Sequence, residues 1–362
     1  STLLASSAAS DVYKRQDNTS NPTKITKGIS MNLEQTAGAG DYKTVTQSSW
    51  PTEGYKFNAE LSRCEKGSTL SWDDTKKAVI VSGNLSDKCY VYFDIYQPTL
   101  AEYIKSQYTG TQGDNGIYYH NSTLANGAGD NSYRYAGASD SVNNYICLGS
   151  DEATCPDANL FRIIGVFGAQ TKVIRAKSIG DQKWNTSADN TWSSSSLNTY
   201  LNGEYLTSLG TLADKIATTT WKVGGGTYAN ISQSVPATAY QYEVGSSAST
   251  TTYDAKIGLM YVTDYYYSAS PSAWTLVGWN SSDATKDYRA VKTTNWLYLG
   301  SYEWTISRNS VTTNSAFRVG SLGSVGGYNV TYSYAVRPSF NLLSSTTYVS
   351  GSGSMSDPVR VN

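Results

Sequence analysis

The C-terminal part of the chain reads N-W-L-Y-L-G-S-Y-E-W-T-I-S-R at 295–308, A-F-R-V-G-S-L-G-S-V-G-G-Y-N-V at 316–330 and S-Y-A-V-R-P-S-F-N-L at 333–342. Clusters of Ser, Asn, Gly and Thr separate these apolar runs, a pattern typical of half-buried strands in an antiparallel sheet. Alternation predicts that Trp304 and Ile306 point to one face of this sheet and Glu303 to the other. Pro338 cannot donate a ladder hydrogen bond, so its strand is expected at a sheet edge or bent there. We therefore predict a meander of strands that closes a core.

These runs resemble an uncharacterised bacterial family of secreted domains. The shared features are the W-L segment, the strand W-x-x-S-R, the glycine-punctuated turns and the closing A-V-R-P-S-F-N-L, which in that family is typically G-V-R-P-A-L. The family is similar to the C-type-lectin-like fold of retroelement-diversified variable proteins and formylglycine-generating enzymes. The resemblance covers residues 145–362 and implies that fold for them. It does not imply one function, because the fold hosts both binders and enzymes.

Composition excludes several classes of function. Charged residues make up 16% of the 362 residues, below the roughly 25% usual for soluble domains. A net charge of -1 provides no basic surface for nucleic acid, so no nucleic-acid partner is expected. The chain has 30 Tyr and one histidine, His120, which we interpret as a solvated loop residue. We therefore predict no metal site and no cofactor.

Turn signals and composition divide the chain into four segments. Residues 1–16 resemble translated linker sequence from the ends of metagenomic reading frames. We interpret them as a non-native leader, and we expect the true N-terminus, with any export signal or membrane anchor, to be missing. Residues 17–97 predict a small all-β, sandwich-like module. Residues 98–143 predict a short helix capped by Thr99 and then a Tyr/Gly/Asn-rich connector, either a linker or a long ordered insertion.

Residues 144–362 are predicted to form the C-type-lectin-like domain, giving an α+β, mostly β protein. N-L-F-R-I-I-G-V-F and T-K-V-I-R-A-K-S predict a hairpin near its start. Residues 194–209 predict a helix weakened by Gly203. The terminal segment with D-P-V-R-V-N is expected to lie back against the first strands.

The four cysteines fall into two close pairs, Cys64 with Cys89 and Cys147 with Cys155. An even count in a Tyr/Thr/Ser-rich β protein favours two disulfides and an oxidising compartment. Four buried free thiols are the alternative. Neither pair has the spacing of a C-x-x-C redox or zinc motif.

Two loop regions are candidates for ligand binding because Tyr and Trp there are mixed with Ser, Asn and Gly, the composition of evolved binding loops. The alternative is that these rings fill the core beneath long loops. The candidate contact residues are Tyr265, Tyr266, Tyr267, Trp274 and Trp279 in the first region, and Arg318, Tyr328, Asn329 and Tyr332 in the second.

Other conspicuous residues are interpreted as structural. Trp296, Trp304 and Pro338 belong to the core strands, and Arg337 needs a buried partner, for which Glu303 is a candidate. The E-P-N, Q-P-D and W-N-D motifs of calcium-dependent lectins are absent from the sequence, and G-W-N-S-S-D at 278–283 is only distantly similar. We therefore expect binding without calcium.

The sequence as a whole predicts an extracellular or cell-surface, adhesin-like protein that recognises a glycan or a host or bacterial surface protein through aromatic loops. It is not expected to be an enzyme, and a membrane contact is expected only through the missing N-terminal anchor. The first alternative is a structural subunit of a pilus or surface layer. The second is an enzyme of the formylglycine-generating-like fold, in which Asp254 and Asp264 could act as paired carboxylates.

Overall fold

The computed structural model describes residues 2–6, 14–16, 28–51, 54–84 and 86–362. For residues 2–6, 14–16 and 47 it describes the backbone only. The chain forms two compact units, Ser1–Gln97 and Pro98–Asn362. Half of the expected leader, residues 1 and 7–13, and residues 17–27 lie outside this description, so the interpretation of 1–16 as a non-native leader stays a prediction. Strand, at 32%, exceeds helix, at 21%, and both types mix in the second unit, so the protein is α+β and mostly β.

The described residues of the first unit form two β-sheets with one shared core. Its strands are β1 (Thr2–Ser6), β2 (Lys14–Gln16), β3 (Ile29–Glu34), β4 (Tyr42–Val45), β5 (Tyr55–Phe57), β6 (Arg63–Cys64), β7 (Thr69–Asp73), β8 (Ala78–Ser82) and β9 (Cys89–Ile95). One sheet has the order β2-β1-β8-β7 and the other β4-β3-β9-β5, with β6 also paired to β9. Val79 and Val81 of the first sheet pack in one cluster with Leu33, Val91 and Phe93 of the second. The two sheets therefore pack face to face, as in a sandwich.

The second unit contains three sheets. Its strands are β10 (Ile117–Tyr119), β11 (Tyr133–Tyr135), β12 (Tyr145–Cys147), β13 (Leu160–Phe167), β14 (Gln170–Arg175), β15 (Asp181–Lys183), β16 (Thr219–Lys222), β17 (Thr252–Ala255), β18 (Ile257–Gly258), β19 (Glu303–Arg308), β20 (Ser315–Val319), β21 (Val325–Asn329), β22 (Ser333–Ala335), β23 (Ser339–Asn341), β24 (Tyr348–Ser350) and β25 (Val359–Val361). The largest sheet has the order β18-β23-β14-β13-β12-β25-β24, with β10 and β11 beside β13. A second sheet has the order β15-β22-β19-β20-β21, and β16 pairs with β17.

Short helices connect these strands: α1 (Leu100–Ser106), α2 (Ser196–Tyr200), α3 (Leu206–Ser208), α4 (Tyr228–Ile231), α5 (Pro236–Glu243) and α6 (Val262–Tyr267). The predicted cap is confirmed, since Thr99 accepts from the backbone of Glu102 in a capping box. α2 continues into α3 through a π-helical turn, Leu201–Tyr205, which contains Gly203. No helix among the described residues is long and apolar enough to cross a membrane.

Residues 98–143 belong to the second unit and do not form a separate connector. β10 pairs with β11, and β11 pairs in turn with β13 of the large sheet. Gly165 of β13 permits this pairing, because a Cβ there would collide with the backbone oxygen of Tyr133. His120 is fully buried and not solvated. Of the two interpretations of this segment, the structure supports the ordered insertion.

The predicted hairpin and terminal strand are confirmed. β13 and β14 pair antiparallel, and β25 lies parallel to β12 with Val359 opposite Ile146. Both predicted disulfides, Cys64–Cys89 and Cys147–Cys155, are also present.

The meander prediction is correct for β19, β20 and β21, which pair in chain order. The expectation of half-burial for β19 was wrong, because Glu303 and Thr305 are buried as fully as Trp304 and Ile306. Packing against other elements on both faces hides the polar residues that alternation assigns to solvent. Pro338 lies between β22 and β23, where the chain leaves one sheet and enters another.

Candidate functional site

The first candidate loop is part of the core. Tyr265, Tyr266 and Tyr267 lie in α6, and their side chains, like that of Trp274, are fully buried. The prediction that these four residues contact a ligand is therefore corrected. Other elements enclose the six-residue helix on all sides, so consecutive tyrosines are buried although they point away from the helix in different directions.

Each buried polar atom of these rings has a backbone partner. The hydroxyl of Tyr265 donates to the Gly323 oxygen over 2.9 Å, and that of Tyr266 donates to the Ile231 oxygen over 2.8 Å. The Trp274 indole donates to the Ala269 oxygen over 3.0 Å. Such pairing removes the cost of burying a phenol or indole, which explains why polar rings can fill this core.

Trp279 is half-buried, and its ring lies 6.1 Å from that of Tyr228. Tyr228 in turn stacks beside Phe317. Phe317 and Arg318 are consecutive in β20 and so point to opposite faces of the sheet. The structure therefore does not bring Trp279 together with the second group of candidates.

The second group forms an exposed aromatic cluster. We define the tyrosine–arginine surface as Tyr302, Arg318, Tyr328, Tyr332 and Tyr334. The Arg318 guanidinium carbon lies 4.2 Å from the ring centre of Tyr302, 4.3 Å from that of Tyr328 and 5.1 Å from that of Tyr334. Cation–π attraction of this kind contributes about 0.5–1 kcal/mol at exposed sites. Arg318 thus holds three rings in fixed positions.

The rings also contact one another. Tyr328 and Tyr332 meet edge to face at 5.3 Å, and Tyr332 lies nearly parallel to Tyr334 at 6.3 Å. Tyr334 packs at 4.8 Å against Trp304, which is buried and donates from its indole to the Gln182 oxygen. The surface is therefore anchored to the core through Trp304.

Much of this surface is open to solvent. Tyr302 is 43% exposed, Tyr328 41% and Tyr332 55%. The Nε atom of Arg318 is buried without a hydrogen-bond partner among the described residues. Asn329 is partly exposed, and its side-chain oxygen accepts from the backbone and hydroxyl of Thr331, which fixes the turn before Tyr332.

The residues interpreted as structural are in the core. Arg337 donates from Nε and Nη2 to the two Glu303 oxygens at 2.6 and 2.8 Å, which confirms the proposed partner. The Trp296 indole donates to the Tyr135 oxygen over 2.7 Å. Burial raises the pKa of Glu303, and the Arg337 charge opposes that rise.

A buried charge cluster was not predicted from the sequence. Lys172 of β14 donates to Asp264 of α6 over 2.5 Å, and Arg134 of β11 lies 3.8 Å from the other Asp264 oxygen. Arg134 also donates to Asp130 over 2.7 Å. Burial lowers the pKa of Lys172, and Asp264 opposes that change. These residues are distant in sequence, so no local motif identifies them.

This charge cluster lines a cavity of about 210 Å³. The ring-bearing residues around it are Phe167, Trp221, Tyr240 and Tyr261. Thr220, an exposed residue, is also part of the lining, so the cavity reaches solvent there. The Thr220 hydroxyl donates to Asp254. Asp264 thus accepts from Lys172, and Asp254 accepts from Thr220.

Calcium ligands would require several converging oxygens. Within the described part of the chain, no three His, Cys, Asp or Glu side chains cluster as metal ligands would. In the 278–283 segment, the side-chain oxygen of Asn280 accepts from the backbone of Ser282 and Asp283, and Asp283 accepts from Thr285. These oxygens stabilise turns.

Comparisons with protein-family models, with curated proteins and with solved structures each find no match for this chain.

Proposed function

We propose that this chain is an extracellular, adhesin-like protein that recognises a partner through the tyrosine–arginine surface, by non-covalent contacts and without calcium. The observation that carries the proposal is the set of three tyrosines held around Arg318 at 4.2–5.1 Å, two of which, Tyr302 and Tyr328, are exposed. Tyrosine and arginine are enriched among residues that dominate binding energy at interfaces. Pre-positioned rings also lose little conformational entropy on binding.

The placement of these residues favours an extended partner. They project from strands and turns of a single sheet, whereas small ligands bind in concave sites. We therefore propose a protein surface as the partner, with a polysaccharide chain as the second possibility from the same surface. The two disulfides support an oxidising compartment, and the C-type-lectin-like fold implied by the sequence resemblance is part of the proposal.

The test is a screen of the purified full chain against arrays of surface proteins and glycans, with and without a calcium chelator. For a bound partner, Tyr332→Ala is expected to weaken affinity at least about tenfold, the equivalent of about 1.4 kcal/mol. Tyr242→Ala is the matched control, because Tyr242 is another exposed tyrosine, 38% accessible, and lies in α5. Equal affinity of the two variants would refute the site, and loss of binding in the chelator would refute calcium independence.

A structural subunit of a pilus or surface layer uses the same exposed rings for self-association. Sedimentation velocity over a range of concentrations separates the two functions. Assembly that grows with concentration and is lost in Tyr332→Ala would favour the subunit. A monomer at all concentrations that binds an array partner favours the adhesin-like protein.

A further inference from the structure

The cavity beside the buried charge cluster lies apart from the tyrosine–arginine surface in composition and position. It is bounded by β14, β16, the end of α5 and the start of α6, and it has no part in the function proposed above. Its volume of about 210 Å³ is below the roughly 300–1,000 Å³ typical of sites for drug-sized ligands. A single small molecule fits this size.

The two buried cations that line the cavity are each paired with a carboxylate, and the half-buried Lys222 lines it as well. Lys172 and Arg134 are matched by Asp264 and Asp130, with Lys172 to Asp264 at 2.5 Å and Arg134 to Asp130 at 2.7 Å. An anionic ligand would have to compete with Asp264 for its cations. A cationic ligand would meet Lys172 and Arg134. A ligand with no net charge avoids both costs.

The same groups include both hydrogen-bond donors and a hydrogen-bond acceptor. Nη1 of Arg134 and Oδ1 of Asp264 are 3.8 Å apart, too far for a direct hydrogen bond. A hydroxyl placed between them could accept from Arg134 and donate to Asp264. Lys172 has three ammonium protons, and its described hydrogen bond, to Asp264, uses one of them. A ligand that carries several neighbouring hydroxyls satisfies these groups best.

Aromatic side chains form the rest of the wall. The ammonium of Lys172 lies 4.4 Å from the Tyr261 ring centre and 5.3 Å from that of Trp221. Phe167 and Tyr240 lie near Arg134, at 4.7 and 5.6 Å from its guanidinium carbon. The cations are thus fixed by the rings, and the cavity combines placed polar groups with apolar walls, as ligand sites do.

We propose that this cavity binds one neutral, polyhydroxylated molecule, of the size and chemistry of a single sugar residue. Arg134, Lys172 and Asp264 bind its hydroxyls, and the rings of Trp221 and Tyr261 contact its carbon skeleton. The ligand enters beside Thr220.

The test is isothermal titration calorimetry of the full chain with a panel of neutral hexoses and N-acetylhexosamines, beside the corresponding hexosamines and hexuronic acids as charged probes. We expect one-to-one binding of at least one neutral sugar and weaker binding of its charged counterparts. No measurable binding of any neutral sugar, or tighter binding of the charged probes, would overturn the proposal.

Two variants locate the site without removing a buried charge. Val244→Phe places a ring in the cavity, and Gln170→Trp covers its rim. The unfolding midpoint shows whether each variant is folded. Each folded variant should bind the sugar at least tenfold more weakly than wild type. Val349→Phe, a matched change at an exposed valine of β24, should leave binding unchanged. Tyr332→Ala should also leave it unchanged. Sugar binding that is lost in Tyr332→Ala and kept in Val244→Phe would assign the ligand to the tyrosine–arginine surface and refute the cavity site.

Discussion

Acidification is expected to destabilise the second unit through His120, the only histidine of the chain. Its Nδ1 accepts from the Ala128 backbone over 3.0 Å, so the neutral ring carries its proton on Nε2. That Nε2 is buried without a hydrogen-bond partner among the described residues, and the ring packs against Tyr267 and Trp274. Burial lowers the pKa of His120 well below its usual 6.5, and the nearby Arg134 charge lowers it further against the opposing effect of Asp130.

The sign and size of the effect follow from proton linkage. The unfolded chain binds a proton at His120 below about pH 6.5, whereas the folded chain does not, so stability falls as pH falls. The slope approaches a maximum of about 1.36 kcal/mol per pH unit, and the integrated loss amounts to about 2 kcal/mol between pH 7.5 and pH 5.

The assay is urea denaturation of wild type and His120→Gln from pH 7.5 to pH 5. The variant cannot titrate at this position, so its stability relative to wild type isolates the histidine from all carboxylates. We expect wild type to be the more stable at pH 7.5 and its advantage to shrink by about 2 kcal/mol at pH 5. An advantage that stays constant, or a histidine NMR signal in the folded chain that titrates near pH 6.5, would contradict a strongly lowered pKa of His120.

Three further predictions concern stability and binding. Glu303→Gln leaves Arg337 buried without its counter-charge and should lower the free energy of unfolding, measured by urea denaturation, by about 3–5 kcal/mol. Replacing both residues with Met should lower it less. A double variant as unstable as the single one would contradict this. Replacing Cys64 and Cys89 with Ser opens a link of sequence separation 25 and should lower the stability of the first unit by about 3.5 kcal/mol. Unchanged urea midpoints would argue against it. Partner binding should change little between low and high salt, because the chain has few charged residues; a steep salt dependence of Kd would point to charged contacts instead.

Local sequence signals predicted several elements correctly. The capping residue Thr99, the two cysteine pairs and the β13–β14 hairpin each depend on residues close in sequence or on a simple count. The partner of Arg337 could also be predicted, because a buried arginine requires a carboxylate, and Glu303 lies opposite Ala335, two residues before Arg337. The cap and the hairpin depend on short-range geometry that spacing reveals, whereas the cysteine pairs and the Arg337 partner follow from residue types that need a partner.

The candidate site was harder to predict for two physical reasons. A helix as short as α6 has no polar face from which burial can be inferred, so Tyr265, Tyr266 and Tyr267 could not be distinguished from loop tyrosines. Exposure at Tyr328 and Tyr332 depends on which face of the sheet is covered, a property of tertiary packing. Residues that meet only after folding, such as Lys172 and Asp264 at a sequence separation of 92, leave no pattern in the chain.

The most direct test of the central claim is hydrogen–deuterium exchange of the full chain with and without a partner from the array. Recognition through the tyrosine–arginine surface predicts protection concentrated in β20, β21 and β22, around Arg318, Tyr328 and Tyr334, with little change in α6. Protection confined to other segments, such as the loop around Trp279, would contradict recognition through the tyrosine–arginine surface.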